Sequence, residues 1–526
     1  MDVTVPGANP NEPLTIPFGS GDASDLAAKI GVVLGTIQVA GNLSTSIDTV
    51  GGNDVVFPIL AQGDKGEFIL NSANPATATI PAGYEYVVVA GSGAATLTGS
   101  DVAIISGTVG SALSVAGLST IAAAGGNNTV SAAGTYTLSF GDGDNQVFLG
   151  GSGSVTSGAG RSTIAASGVR NVISSHGTND LIVGAAGATT VTATGDQAAI
   201  LGGTGTLAAI IAGNQATVAA GGAATNATIS GGQVLVFGGT SDSPGALVLD
   251  SSGSNATVST FASDATIHSA GDNAAIFGGS GTSVLDISGN DNTILGGAGV
   301  ETVSASSNSL LFGGTGPVTF VGGDGAVTIV GATGGSEQAT LGGGGGLFSA
   351  GADNHSTVTG GDGAATLFGG ANSVVNFVGG GAGGTFVAAG GNETLNAAGS
   401  STSNLFSGGD STGSQVAMLG GTSDDLMFAG AGSDTMAGGA GSNIFAFFAV
   451  GTHGAHDYIT DFSSNDSLYL IGYDPGQSAS SLETAASGGG NSPVTLTLSD
   501  STQITFTDLT STSSLDGHIL YAGRTG

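Results

Sequence analysis

Between residues 86 and 446, apolar positions come in short Val-, Ile-, Leu- and Phe-bearing segments separated by Gly-Gly breaks. In the later part of this stretch the pairs begin at Gly278, Gly296, Gly313, Gly322, Gly342, Gly360, Gly369, Gly379, Gly390, Gly408, Gly420 and Gly438. Most intervals are about 9 or about 18 residues, the signature of a repeat whose coil holds two strands and two turns. A second marker agrees, because Asn followed shortly by Thr, Val, Ile or Leu recurs at Asn127 and Asn145, at Asn255, Asn273 and Asn292, and at Asn354, Asn372 and Asn392. The pattern predicts an all-β fold, a parallel β-solenoid resembling a β-roll or β-helix, with strands of roughly three to five residues stacked in register on the next coil. Glycine is expected to supply the positive φ angles of its tight turns. Asn at equivalent turns forms an amide ladder or is simply a good turn residue.

The ends break the pattern. Seven of the 11 prolines and both lysines fall at or before Pro81, so residues 1–85 read as a separate N-terminal capping or assembly unit. Within it Asp22 is an N-cap candidate, and Leu26, Ile30 and Val33 recur at i, i+4 and i+7. A short helix from Asp22 to about Leu34 is expected to cap the open end of the coils. Residues 86–419 form a degenerate glycine-rich solenoid, and 447–526 regain aromatics and alternating strands such as 494–498 and 503–507, as a β-rich C-terminal cap.

The sharpest motif lies at residues 420–446, where three tandem nonapeptides start at Gly420, Ala429 and Gly438 and carry Asp425, Asp434 and Asn443 at the sixth position. They match G-G-x-G-x-D-x-U-x. With the following Asp457-Tyr-Ile-Thr-Asp461-Phe462 and Asp466, this segment resembles the RTX, or haemolysin-type calcium-binding repeat, family of type I secreted bacterial proteins. The resemblance implies Ca2+ as cofactor, held by oxygens of glycine-rich turns and one carboxylate per turn. The candidate ligands are Gly420, Thr422, Asp424, Asp425, Ala429, Ala431, Asp434, Gly438, Ala440 and Asn443. Coils of about 18 residues put Asp425 and Asn443 on one edge and Asp434 on the other, with partners near Val416 or Thr452. Asn145 and Glu301 stand in decayed upstream copies where Asp belongs. His453, His456 and Asp457 form a separate, weaker metal candidate.

Composition narrows the function. The chain has 526 residues with 5 Lys+Arg against 38 Asp+Glu and a net charge of -33, so phosphate backbones meet no counter-charge and nucleic acid is not an expected partner. There is no cysteine, and no apolar run is long enough to span a membrane. The N-terminus lacks a standard signal peptide, which agrees with the export by a type I system that the resemblance implies. No nucleophile elbow or phosphate loop is present, so no enzyme is expected.

The expected function is a secreted, cell-surface-associated structural protein that self-assembles into a surface layer, filament or biofilm matrix. Its expected partners are its own copies, the secretion machinery and cell-surface polysaccharide. The alternatives are a monomeric adhesin or an ice-binding solenoid. A polysaccharide-modifying enzyme fits less well, because residues 171–523 contain no Lys or Arg to meet an anionic sugar.

Overall fold

The computed structural model describes residues 2–9, 11–53, 55–449, 454–474 and 493–523. The protein is nearly all β, a parallel β-solenoid of about 22 turns. It divides into two compact units, Met1–Thr266 and Ile267–Gly526.

In the first unit each coil contributes one strand to each of two parallel sheets. Register is tight and nearly constant in step: Leu118 pairs with Thr135, Thr135 with Ser152, and Ser152 with Arg170. The central inward side chains of successive strands stack to form the core. Ile121, Leu138, Val155, Ile173 and Val191 stack in the first sheet, and Val130, Val147, Ile164, Ile182 and Ile200 in the second, all buried. β-Branched side chains suit this position because they pack on a pleated surface with little rotamer loss.

The stack begins earlier than the proline boundary at 85 suggests, since Leu43–Asp48 already pairs in parallel with Lys65–Leu70. The helix is longer than expected, Asp22–Val39, and is capped by Gly21 with Asp22 in its first turn. It does not close an open end. Its buried Ala23, Ala27, Ile30 and Leu34 join the hairpin strands Asp2–Val5 and Leu14–Pro17 in one cluster with Ile69, Val88, Ile105 and Ala122. Those four residues are in register on consecutive first-sheet strands, next to the inward Phe68, Val87, Ile104 and Ile121. Here the strands are apolar on both faces, and the helix and hairpin cover the outer one.

Glycine holds positive φ as expected at several turns, among them Gly117, Gly126, Gly134, Gly345, Gly383 and Gly439. Between residues 179 and 233 the left-handed positions are held by Asn179, Gln197, Gln215 and Gln233, one on each successive coil, with φ between 58° and 62°. The glutamine side chains form an amide ladder, Gln197 Nε2 donating to Gln215 Oε1 and Gln215 Nε2 to Gln233 Oε1, both at 3.0 Å. Glycine there is required instead by close approach. A Cβ on Gly213 would lie 1.9 Å from the Gly195 carbonyl oxygen, and one on Gly231 equally close to that of Gly213.

The asparagines divide between the two roles. Asn255, Asn273 and Asn372 are left-handed turn residues. Asn145, Asn292 and Asn354 are buried, and Asn145 Oδ1 accepts the Asn128 N–H at 3.2 Å.

The second unit keeps this plan with a larger core and longer coils. Ile329, Phe348, Leu367, Phe386 and Phe406 follow one another inside the second sheet, and Phe386 stacks on Phe406 with centroids 4.6 Å apart. The register step widens along the first sheet, where Val374 pairs with Thr394 and Asn392 with Gln415. At the C-terminal side Gln503–Phe506 adds in parallel to His456–Ile459, and Val494–Thr497 folds back antiparallel on it, ending the first sheet.

Candidate calcium-binding turns

Each nonapeptide of residues 420–446 supplies a turn and the strand after it. Leu426–Phe428 and Ile444–Phe448 belong to the second sheet, and Ser433–Ala437, between them in sequence, belongs to the first. Asp425 and Asn443 therefore share an edge, the Asp425 N–H donating to Asn443 Oδ1 at 2.9 Å. Asp434 lies in the other sheet, with Val416 in register one coil before it and Asp457 one coil after. Thr452, the other neighbour expected for it, falls outside the described residues, as does His453.

The sixth-position acid closes its own turn. Asp425 Oδ2 accepts the Gly421 N–H at 2.7 Å, Asp434 Oδ2 accepts the Gly430 N–H at 2.5 Å, and Glu301 Oε1 accepts the Gly297 N–H at 2.9 Å. In all three the donor opens the same turn that the acid ends. Such charge-assisted bonds satisfy turn donors that the sheet ladder leaves over.

The other carboxylate oxygen separates the positions. Asp425 Oδ1 accepts both the backbone N–H and the side-chain Nδ2 of Asn404, at 2.6 and 3.0 Å, so both its oxygens are aimed at donors. Burial raises the Asp425 pKa, and these donors pull it back. Asp424 is exposed and accepts the Ser442 N–H at 2.7 Å. Asn443 accepts from Asp425 but leaves its Nδ2, a donor, buried without a partner.

The turn residues stack on neighbouring backbone: the N–H groups of Thr422, Ala431 and Ala440 reach Ser400, Gly409 and Gly421 carbonyls one coil earlier, and those of Gly420 and Ala429 reach Ala437 and Ala446 one coil later. The Gly438 N–H instead reaches Asp461 Oδ1 at 2.8 Å.

Asp434 and Asp457 differ from all of these. Both are wholly buried, the Asp434 N–H donates to Asp457 Oδ1 at 2.8 Å, and Asp434 Oδ1 and Asp457 Oδ2 have no hydrogen-bond partner. Burial pushes Asp434 up to about 6. It pushes Asp457 up to about 8, with the charges of Asp434 and Asp500 adding to the effect. The two orphan carboxylate oxygens on consecutive coils lack a counter-charge, which a proton or a hard cation would supply. At Asp425 both carboxylate oxygens already have donors.

Asp457 is absent from the expected ligand set, though the step that joins it to Asp434 recurs in the pairs Gly438–Asp461 and Asn443–Asp466. Asp461 takes the Gly438 and Gly439 N–H groups, and Asp466 Oδ1 takes the Asn443 N–H at 2.7 Å. The D-x-I-x-D-F segment thus caps donors of the last repeats. His456 points away from Asp457, bonding Thr505 and stacking on the exposed Tyr458, so these two do not converge on an ion. Among the described residues no three His, Cys, Asp or Glu side chains converge, and no helix is long and apolar enough to cross a membrane. Neither a protein-family model nor a curated protein sequence matches the chain.

Proposed function

We propose that the protein is a secreted structural solenoid that assembles with its own copies at the cell surface or in the extracellular matrix, with calcium held at Asp434 and Asp457. The observation that carries this reading is the use of polar side chains to join one coil to the next. Asn128, Asn145, Asp425, Asn443, Asp457 and Asp466 each accept an N–H from the preceding coil. The RTX-like repeats at 420–466 add export by a type I system and folding that starts when the chain meets extracellular calcium, because the ion site exists only once two coils have stacked.

Negative-stain electron microscopy of the full chain with millimolar calcium and with chelator tests the proposal. Sheets or filaments that form with calcium are the expected result, and single particles in both conditions would contradict calcium-driven assembly.

A groove of about 560 Å³ along the first sheet favours a second reading, a sugar-binding adhesin. It is lined by Asn392, Glu393, Gln415, Ser433 and Thr435 and bounded by the stacked His456 and Tyr458, a mainly amide, hydroxyl and aromatic surface suited to neutral saccharides. Retention of the chain on immobilised neutral glycan, lost in Tyr458→Ala, would favour that reading.

A further inference from the structure

The outer face of the second sheet in the unit Ile267–Gly526 is built unlike that of the first. From Ala275–Phe277 to Ile444–Phe448 its ten strands place Ala, Thr, Ser, Val, Leu, Ile and Phe outward and no charged residue. The first sheet's outer face differs in carrying one outward carboxylate, Asp286, which lies 3.1 Å from His268, and more amide side chains, among them Gln338, Asn376, Asn396 and Gln415. In a chain of net charge -33 an uncharged apolar strip is a distinct surface, and apolar strips of this size mark interaction sites.

The strip has a period of its own. One outward column reads Phe312, Val330, Ser349, Phe368, Val387, Ser407, Phe428, each in register with the next. Large, medium and small side chains repeat every three coils, roughly 14 Å at about 4.8 Å per strand. Phe312 is exposed, and Phe368 and Phe428 are half-buried, so the rings stand as ridges with gaps at Ser349 and Ser407.

We infer that this face pairs with the same face of a second copy, the two running antiparallel. The inference rests on the self-assembly proposed above and names the surface responsible. A two-fold axis between Ser349 and Phe368 sets Phe368 over the partner copy's Ser349, Phe312 over its Ser407 and Val330 over its Val387. Phe312 and Phe368 then each meet a gap, Phe428 meets the partner copy's Leu295 at the margin, and each contact occurs twice, as an isologous interface requires. Two sheets packed this way lie about 10 Å apart with interdigitating side chains. The strip measures on the order of 45 by 15 Å, roughly 700 Å² per copy, close to the ~800 Å² per partner of a stable interface. An anionic lipid surface is a poorer occupant, because the acidic chain is repelled from it.

Sedimentation velocity of the full chain between about 1 and 100 μM tests the pairing, with circular dichroism to verify folding. The natural chain is expected to dimerise or assemble further. Ser349→Phe, which fills a gap, is expected to weaken association at least tenfold although it makes the face more apolar. Phe368→Ser is expected to weaken it too, and the double variant, which exchanges knob and gap, to recover it. Equal or tighter association of Ser349→Phe would overturn the inference while leaving self-assembly standing. A natural chain that stays monomeric throughout, with and without calcium, would overturn both. Binding of Ser349→Phe to phosphatidylcholine vesicles as tight as that of the natural chain, without self-association of either, would reassign the face to lipid.

Discussion

Asp457 accepts the backbone N–H of Asp434 at 2.8 Å, and each residue keeps one buried carboxylate oxygen without a partner. The stacking register makes this pair unavoidable. Corresponding positions of consecutive coils superpose, so the two acids come to lie one strand spacing apart. An arrangement that holds like charges together in the dry interior is stable only when a proton or a cation neutralises it.

That condition sets a pH dependence. The folded pKa values of Asp434, about 6, Glu67, about 7, and Asp457, about 8, all lie above their ordinary values. A raised carboxyl pKa means that the folded chain binds protons more tightly than the unfolded one. The associated stability is complete below about pH 4 and is lost as pH rises through 6 to 8. In chelator, the melting temperature followed by circular dichroism should fall between pH 5 and pH 8.5. Asp434→Asn with Asp457→Asn should flatten that fall.

Glycine at the stacked turns should tolerate no side chain. Gly213→Ala places a methyl group 1.9 Å from the Gly195 carbonyl oxygen, so the coils must separate locally, at a cost of about 1–3 kcal/mol or more. Gln215→Gly, in the same turn at φ 58°, should change stability by under about 1 kcal/mol, since glycine accepts that backbone and only exposed ladder bonds are lost. Chemical denaturation of both variants checks the contrast, and equal losses would contradict it.

The C-terminal cap should depend on Asp461. Asp461→Ala leaves the Gly438 and Gly439 N–H groups without their acceptor, at a cost of about 1–3 kcal/mol on this partly exposed edge. Hydrogen exchange should show faster exchange at residues 438–446, with residues 118–193 unchanged.

The fold was legible in the sequence because a solenoid writes its coil length directly into residue spacing. The longer of the two common Gly-Gly intervals is the register step between Ser152 and Arg170 and between Gln415 and Ser433. Which role glycine plays at a given turn was not legible, because a close approach and a left-handed φ select the same residue. Only the folded chain shows Gln197 and Gln215 holding the positive φ while Gly213 faces a neighbouring backbone.

The placement of the helix left a trace that spacing arguments pass over: Phe68-Ile69-Leu70 and Val87-Val88-Val89 break the alternation expected of strands with one wet face. Within the site, Asp425 and Asp434 occupy the same motif position but differ in what the neighbouring coils bring. Asn443 follows Asp425 and a second acid follows Asp434. A nonapeptide motif does not encode that difference, because it is set by residues a full coil away, Asn404 before Asp425 and Asp457 after Asp434.

The calcium proposed above is assigned to Asp434 and Asp457 in preference to Asp425. Isothermal titration of calcium into the full chain at pH 8 tests this assignment most directly. Binding is expected in the natural chain and in Asp425→Asn, and its loss in the Asp434→Asn, Asp457→Asn double variant. A natural chain that binds no calcium at millimolar concentration would contradict the claim, as would a double variant that binds as the natural chain does.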